Sequence, residues 1–218
     1  MTHNSEKWSE SAWQKVGPLY RAILQLPFVQ ELASGSLARD RFMYYIAQDS
    51  LYIDNYSRVL AHIASRLPQK TQMADFLKFA DEGILVEKAL HESYLGGSGS
   101  ETEPSPTCML YTSFESGKAV EPVEVEAAAI LPCFWVYQRV GESILQNCRP
   151  DNPYARWIAT YGDEAFARST ARAVEICDEL AAATTGSIRE RMTDAFITAT
   201  RLEWMFWDSA YNMEKWKI

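Results

Sequence analysis

The sequence predicts an all-α fold, one helical bundle formed by a single domain over residues 1–218. Three observations carry the prediction. Apolar residues recur at helical spacing through most of the chain. Strand signals are nearly absent, with no sustained two-residue alternation and no Asn-Gly or Asp-Gly hairpin turn. Hydrophobic residues make up 47% of the chain against 23% charged, the balance of a globular chain long enough to bury one sizeable core.

The periodicity divides the chain into segments at roughly 6–16, 18–33, 38–66, 70–95, 106–119, 122–148, 152–160, 163–184 and 187–215. The first two are separated at Pro18, because proline suits the first turn of a helix and not its interior. The third carries the stripe Phe42, Tyr45, Ile46, Tyr52, Ile53 and Tyr56. After the fourth, a run of glycine, serine and proline over 96–106 reads as a flexible loop. The apolar stripes of 38–66 and 70–95 need partners, so this loop sits within one bundle and does not link two domains. The sixth segment runs through Pro132, whose missing donor and steric clash cost about 3 kcal/mol in a helix interior and predict a kink. Pro153 suits the first turn of the seventh, and Asp163 after Gly162 is a natural N-cap for the eighth. The ninth repeats the apolar stripe with Phe196, Ala199, Phe206 and Ala210.

A formal net charge of −8 and a pI near 5.0 argue against a phosphate-backbone partner. The 21 basic residues are interspersed among 29 acidic ones, with no basic cluster to bind nucleic acid. No apolar run is long enough to cross a membrane, and Met1–Lys7 is too polar for a secretory signal. Cys108, Cys133, Cys148 and Cys177 are scattered without a CxxC pair, as expected of reduced thiols in a cytoplasmic chain. Three histidines and no Glu-x-x-His spacing leave a metal site, or any other cofactor, unexpected. Glu87 and His91 stand four apart, not three. His62 and His91 stay open as partners for a reactive cysteine.

Two carboxylates break the apolar stripes. Asp49 lies between Tyr45 and Ile53, its neighbours four residues either side, and Glu203 lies four after Ala199 and three before Phe206. A carboxylate facing a core must be hydrogen-bonded, paired or protonated, and desolvation raises its pKa toward neutrality, which is how a Glu becomes a general acid. Cys133 follows Pro132 in the apolar sixth segment, and a thiol is among the most nucleophilic side chains once ionised. Either carboxylate alone also fits a helix cap or a buried arginine's partner, and Cys133 alone also fits a structural cysteine beside a kink. Together they point to a polar pocket inside the bundle. Tyr111, Tyr137 and Tyr161 are suitable walls in it for a flat heteroaromatic ring.

The stretches Arg41–Ser50, Pro104–Thr107 leading to Tyr111-Thr112-Ser113, Leu131–Tyr137, Trp157–Gly162 and Glu203–Tyr211 together resemble the thiaminase-II (TenA-like) family, whose fold is similar to haem oxygenase. The resemblance spans nearly the whole chain in the expected order. It implies an aminopyrimidine aminohydrolase that converts 4-amino-5-aminomethyl-2-methylpyrimidine to the 5-hydroxymethyl compound and ammonia in thiamine salvage, with cleavage of thiamine at the same methylene. It further implies Cys133 as nucleophile, Glu203 as proton donor, and Asp49, Tyr137 and Tyr161 as substrate contacts. Tyr52 matches a tyrosine that makes the thiol more reactive, and Tyr111 a pocket wall. Cys133 sets the chain in the cysteine-containing branch. A homotetramer is implied, with a pyrimidine or thiamine as small-molecule partner, no nucleic acid and no membrane. Leu51 and Leu202 depart from the family pattern, standing where an aromatic residue and a tyrosine are expected. Two other readings share the fold: a different haem-oxygenase-like oxidase, and a non-catalytic pyrimidine-binding or regulatory protein.

Overall fold

In the computed structural model the described residues are 7–90, 93 and 102–218, without the side chains at 86–88, 90 and 161. His91 and most of the 96–106 loop lie outside them. Among the described residues the regular elements are all helical: α1 (Trp8–Leu24), α2 (Pro27–Ser34), α3 (Arg39–Arg66), α4 (Lys70–Leu90), α5 (Pro106–Gly117), α6 (Val123–Asn147), α7 (Ala155–Ile158), α8 (Glu164–Ala183) and α9 (Gly186–Tyr211). Short 3-10 turns cover Lys118–Val120 and Ala159–Gly162.

The expected break at Pro18 does not occur. Pro18 lies inside α1, and Ala12, Val16 and Ile23 are buried on either side of it. Burying that stripe outweighs the one helical hydrogen bond that proline removes. The chain turns instead at Gln25-Leu26, and Pro27 takes the first-turn position in α2. Helix α2 ends at Gly35, whose φ of +79° belongs to the left-handed region. A Cβ at that position would come within 3.1 Å of the Pro153 ring, so both conformation and packing call for glycine.

The expected helix over 152–160 is also shorter than its pattern. Asn152 donates from Nδ2 to the Leu32 and Ala33 carbonyls, at 2.8 and 3.0 Å, while its Oδ1 accepts from the Tyr154 amide. Asn152 and Pro153 therefore form a turn that closes the end of α2, and α7 begins only at Ala155. Asp163 caps α8 as expected, accepting from the Ala165 amide at 2.7 Å. Thr185 does the same for α9 and Ser105 for α5.

Helix α6 is the centre of the bundle and continues through Pro132 from Val123 to Asn147. Its run Ala127-Ala128-Ala129-Ile130-Leu131 is buried all round, and the small alanines let α9 and α8 approach closely. Helix α3 packs along α4 on one side and meets α5 and α9 on the other. An aromatic cluster binds these layers: Tyr45 of α3 stacks on Trp207 of α9, with centroids 5.1 Å apart, and Phe28 of α2 packs on both. Rings of this size, buried and in contact, each contribute about 2–3 kcal/mol through burial.

Candidate active site

Where α3, α5, α6 and α9 meet, the bundle forms a partly open cavity of about 440 Å³. Its walls include Asp49 and Tyr52 from α3, Tyr111 from α5, Cys133 and Tyr137 from α6, and Glu203 from α9. Six of the seven residues expected at a site are thus brought together from four helices. The seventh, Tyr161, is on the Ala159–Gly162 turn beside the lining residue Thr160, and its side chain lies outside the described residues. Neither Leu51 nor Leu202 is among the lining residues.

Helical spacing explains the convergence. Asp49, Tyr52 and Tyr56 recur at three- and four-residue steps on α3, and Cys133 and Tyr137 at a four-residue step on α6, so each pair shares a face. Asp49 is 7% exposed and Glu203 4%. Cys133 is half-buried, its free surface facing the cavity.

The polar groups form three short chains. Tyr111 donates its hydroxyl hydrogen to Glu203 Oε1 at 2.8 Å. Tyr45 hydrogen-bonds the Asp49 carboxyl, and its hydroxyl lies 2.8 Å from that of Tyr137. Tyr52 donates to Glu115 Oε1 at 2.8 Å and interacts with the Cys133 sulfur, as does Tyr56, whose hydroxyl donates to the Ile130 carbonyl at 3.0 Å. Burial pushes the Asp49 carboxyl up to about 7, with the nearby Glu203 adding to the rise and the Tyr45 hydrogen bond opposing it. Burial likewise raises Glu203 to about 7 against the Tyr111 hydrogen bond. The Cys133 thiol is pushed well above its ordinary value, first by burial and then by Glu203, Glu115 and Asp49, while Tyr52 works the other way. Near neutrality the site therefore holds a protonated thiol beside two carboxyls that titrate around that pH.

Two participants escaped the sequence reading. Glu115 is fully buried behind Tyr52 and does not line the cavity. Its signal was present: Cys108, Tyr111 and Glu115 follow at three- and four-residue steps on α5, a stripe broken by a carboxylate as on α3 and α9. The apolar stripe assigns Tyr45 only a packing role, yet its hydroxyl ties Asp49 to Tyr137. His62 is not a partner of the cysteine: its Nδ1 lies 2.7 Å from Glu126 Oε1, in a cluster that Arg66 completes.

A thiol, two adjustable acids and aromatic walls (Trp207 stacks beside Tyr137 with centroids 5.7 Å apart) suit covalent chemistry on a flat nitrogen heterocycle. The family described as TENA/THI-4/PQQC matches residues 13–213. The chain belongs to this family. Aminopyrimidine aminohydrolase of Bacillus subtilis is 33% identical over 218 residues, covering 96% of this chain and 92% of that protein. The protein of the same name from Halalkalibacterium halodurans is 31% identical, with 96% and 97% covered. The thiamine biosynthesis multifunctional protein ThiED of Corynebacterium efficiens is 35% identical over 93% of this chain, which spans only 28% of that longer protein. Among solved structures, a TenA homologue from P. horikoshii superposes with a TM-score of 0.84 at 25% identity, covering 95% of this chain and 99% of that one. A Shewanella denitrificans domain with a heme oxygenase-like fold gives a TM-score of 0.74 at 14% identity, with 94% and 92% covered. The family and the haem-oxygenase-like helical fold expected from the sequence are both borne out.

Proposed function

We propose that this chain is an aminopyrimidine aminohydrolase, a C–N hydrolase that converts an aminomethyl aminopyrimidine to its hydroxymethyl counterpart and ammonia, and that also cleaves thiamine. One observation carries the reading: one partly open cavity, in a chain of this family, holds Cys133 together with two carboxyls poised near neutrality.

A 4-aminopyrimidine resists nucleophiles until a ring nitrogen is protonated. Glu203, whose carboxyl burial raises to about 7, gives its proton to that nitrogen as the Cys133 sulfur bonds to the adjacent ring carbon. The thiol proton passes to the departing amine, and the methylene C–N bond breaks to release ammonia. The 4-amino group supplies the electron pair and becomes an iminium, with the Asp49 carboxylate as its hydrogen-bond acceptor and counter-charge. Water then adds its oxygen to the exocyclic methylene. The sulfur leaves with its bonding electrons and takes the water's second proton, while the ring nitrogen returns its proton to Glu203. Atoms and charges balance, and both side chains end as they began.

The reading places Tyr111, Tyr137 and Tyr161 around the ring, with Tyr52 beside the sulfur. It places the protein in the cytoplasm as a homotetramer; the exposed Met73, Leu77, Ile84 and Leu85 of α4 offer apolar surface for such an assembly. The test is ammonia release from 4-amino-5-aminomethyl-2-methylpyrimidine, with thiamine at equal concentration beside it. Turnover of either that disappears in Cys133→Ser supports the reading. No turnover of either compound by the folded parent rejects it.

A further inference from the structure

Glu115 has no part in the chemistry just derived, and its surroundings are unusual. It is 0% exposed, Tyr52 donates to its Oε1 at 2.8 Å, and its Oε2 is buried without a hydrogen-bond partner. The titratable groups facing it and Tyr52 are Tyr56 from α3, Cys108 and Tyr111 from its own helix, Cys133 from α6 and Glu203 from α9. All are neutral or anionic. A carboxylate held there would be desolvated, half-satisfied and beside other acids, so the buried group is the neutral acid.

A neutral carboxylic acid can both accept and donate, whereas a carboxylate only accepts. Tyr52 stands between this group and the Cys133 sulfur and has one hydrogen. While the sulfur is a thiol, that hydrogen rests on Glu115, and Tyr52 presents a lone pair to the S–H. When the sulfur becomes anionic, Tyr52 must turn its hydrogen to the sulfur, and its oxygen then needs a donor. We propose that Glu115 is a positioning residue for Cys133, acting through Tyr52: as an acid it lends its own hydrogen to the Tyr52 oxygen whenever Tyr52 donates to the thiolate. No proton changes heavy atom in this step: the Glu115 carboxyl turns its O–H to the Tyr52 oxygen, and two hydrogen bonds reverse direction together and strengthen one another. An ionised Glu115 would keep hold of the Tyr52 hydrogen and leave the thiolate facing a lone pair.

This inference rests on the nucleophile assigned above, but its test needs no substrate. The rate at which iodoacetamide alkylates Cys133 is followed across pH by mass spectrometry of the Cys133 peptide. The parent is compared with Glu115→Gln and Glu115→Leu, and each is repeated with Tyr52→Phe. Glutamine keeps a donor and an acceptor; leucine keeps the volume alone. Glu115→Leu should slow alkylation at pH 7.5 by about tenfold, the scale of one charge-assisted hydrogen bond. Glu115→Gln should stay within about threefold of the parent, and in the Tyr52→Phe background all three residues at 115 should agree within about twofold. Parental alkylation in Glu115→Leu overturns the proposal. So does an equal loss in Glu115→Gln, or a Glu115 effect that persists without the Tyr52 hydroxyl. If Glu115→Leu does not fold, Glu115→Met takes its place under the same criteria. A protein that passes this test yet releases no ammonia would refute the substrate assignment and leave the role of Glu115 standing.

Discussion

Replacing Glu203 by glutamine should stabilise the ligand-free protein at alkaline pH while removing its chemistry. The folded chain holds the Glu203 proton more tightly than the unfolded chain, because burial raises the carboxyl from 4.5 to about 7. Between those values the folded state binds more protons than the unfolded state, so stability falls as pH rises across that window and levels off above about 7. At about 1.4 kcal/mol per tenfold change in proton affinity, the full loss is about 3 kcal/mol. Glutamine cannot ionise, and its carbonyl still accepts from Tyr111. The variant also relieves Asp49, whose own rise to about 7 owes its second-largest part to Glu203. Urea unfolding of parent and variant at pH 5, 7 and 8.5, at one protein concentration, measures the effect. The stability of the variant relative to the parent should grow by about 2.5 kcal/mol from pH 5 to pH 8.5, since part of the loss already falls below pH 5, with equal m-values. Parallel pH profiles would falsify the claim that Glu203 is held neutral by burial, and with it the argument that it is a ready proton donor.

The other substitutions test separate links. Glu203→Gln should lower ammonia release by about 10²–10⁴-fold while retaining product affinity, read by turnover beside direct binding of the hydroxymethyl pyrimidine. Asp49→Asn should weaken that binding by about tenfold to a hundredfold, since an amide can present a donor where the 4-amino group needs an acceptor; unchanged binding would make Asp49 a structural carboxyl. Tyr45→Phe deletes the hydroxyl between Asp49 and Tyr137 and removes the interaction that holds Asp49 down. The pH at which Asp49 ionises should therefore rise, moving the acid limb of the activity profile upward. Gly35→Ala should cost about 1–3 kcal/mol in thermal or urea unfolding, through both its left-handed φ and the 3.1 Å approach to Pro153.

The site was more legible in the sequence than the helix boundaries were. Asp49 and Glu203 announced themselves because a carboxylate on an apolar stripe is a local contradiction, visible without knowing the fold. Pro18 misled because proline's local cost is known, whereas the compensating burial of Ala12, Val16 and Ile23 depends on what α1 packs against. Asn152 shows the same limit: it shortens α7 by bonding to carbonyls 120 residues away, which no local pattern records. Tyr45 was placed on the correct face, but a stripe does not say which of its members meet a cavity and which meet dry core.

Glu115 carries that argument one step further. Its stripe was as readable as those of Asp49 and Glu203, yet it ends in neither the cavity nor the surface. Three buried carboxyls near one thiol would repel each other if all were ionised, so the fold tolerates them by keeping protons on them. The same protons are what the chemistry uses: one for the ring nitrogen from Glu203, and one held on Glu115 to steer Tyr52. Asp49 is the carboxyl whose ionised form has a purpose, and an amino group entering beside it stabilises that form. Substrate binding therefore lowers the pKa of Asp49, and the negative charge placed there raises that of Glu203 through their mutual repulsion. The bound state sorts two carboxyls that share a value of about 7 in the empty site into one acceptor and one acid. Proton uptake or release on binding a non-reacting pyrimidine, measured in buffers of different ionisation enthalpy, should be small near pH 7, because the two shifts oppose each other. A release near one proton per site would mean that Asp49 alone responds and that the pair is not coupled.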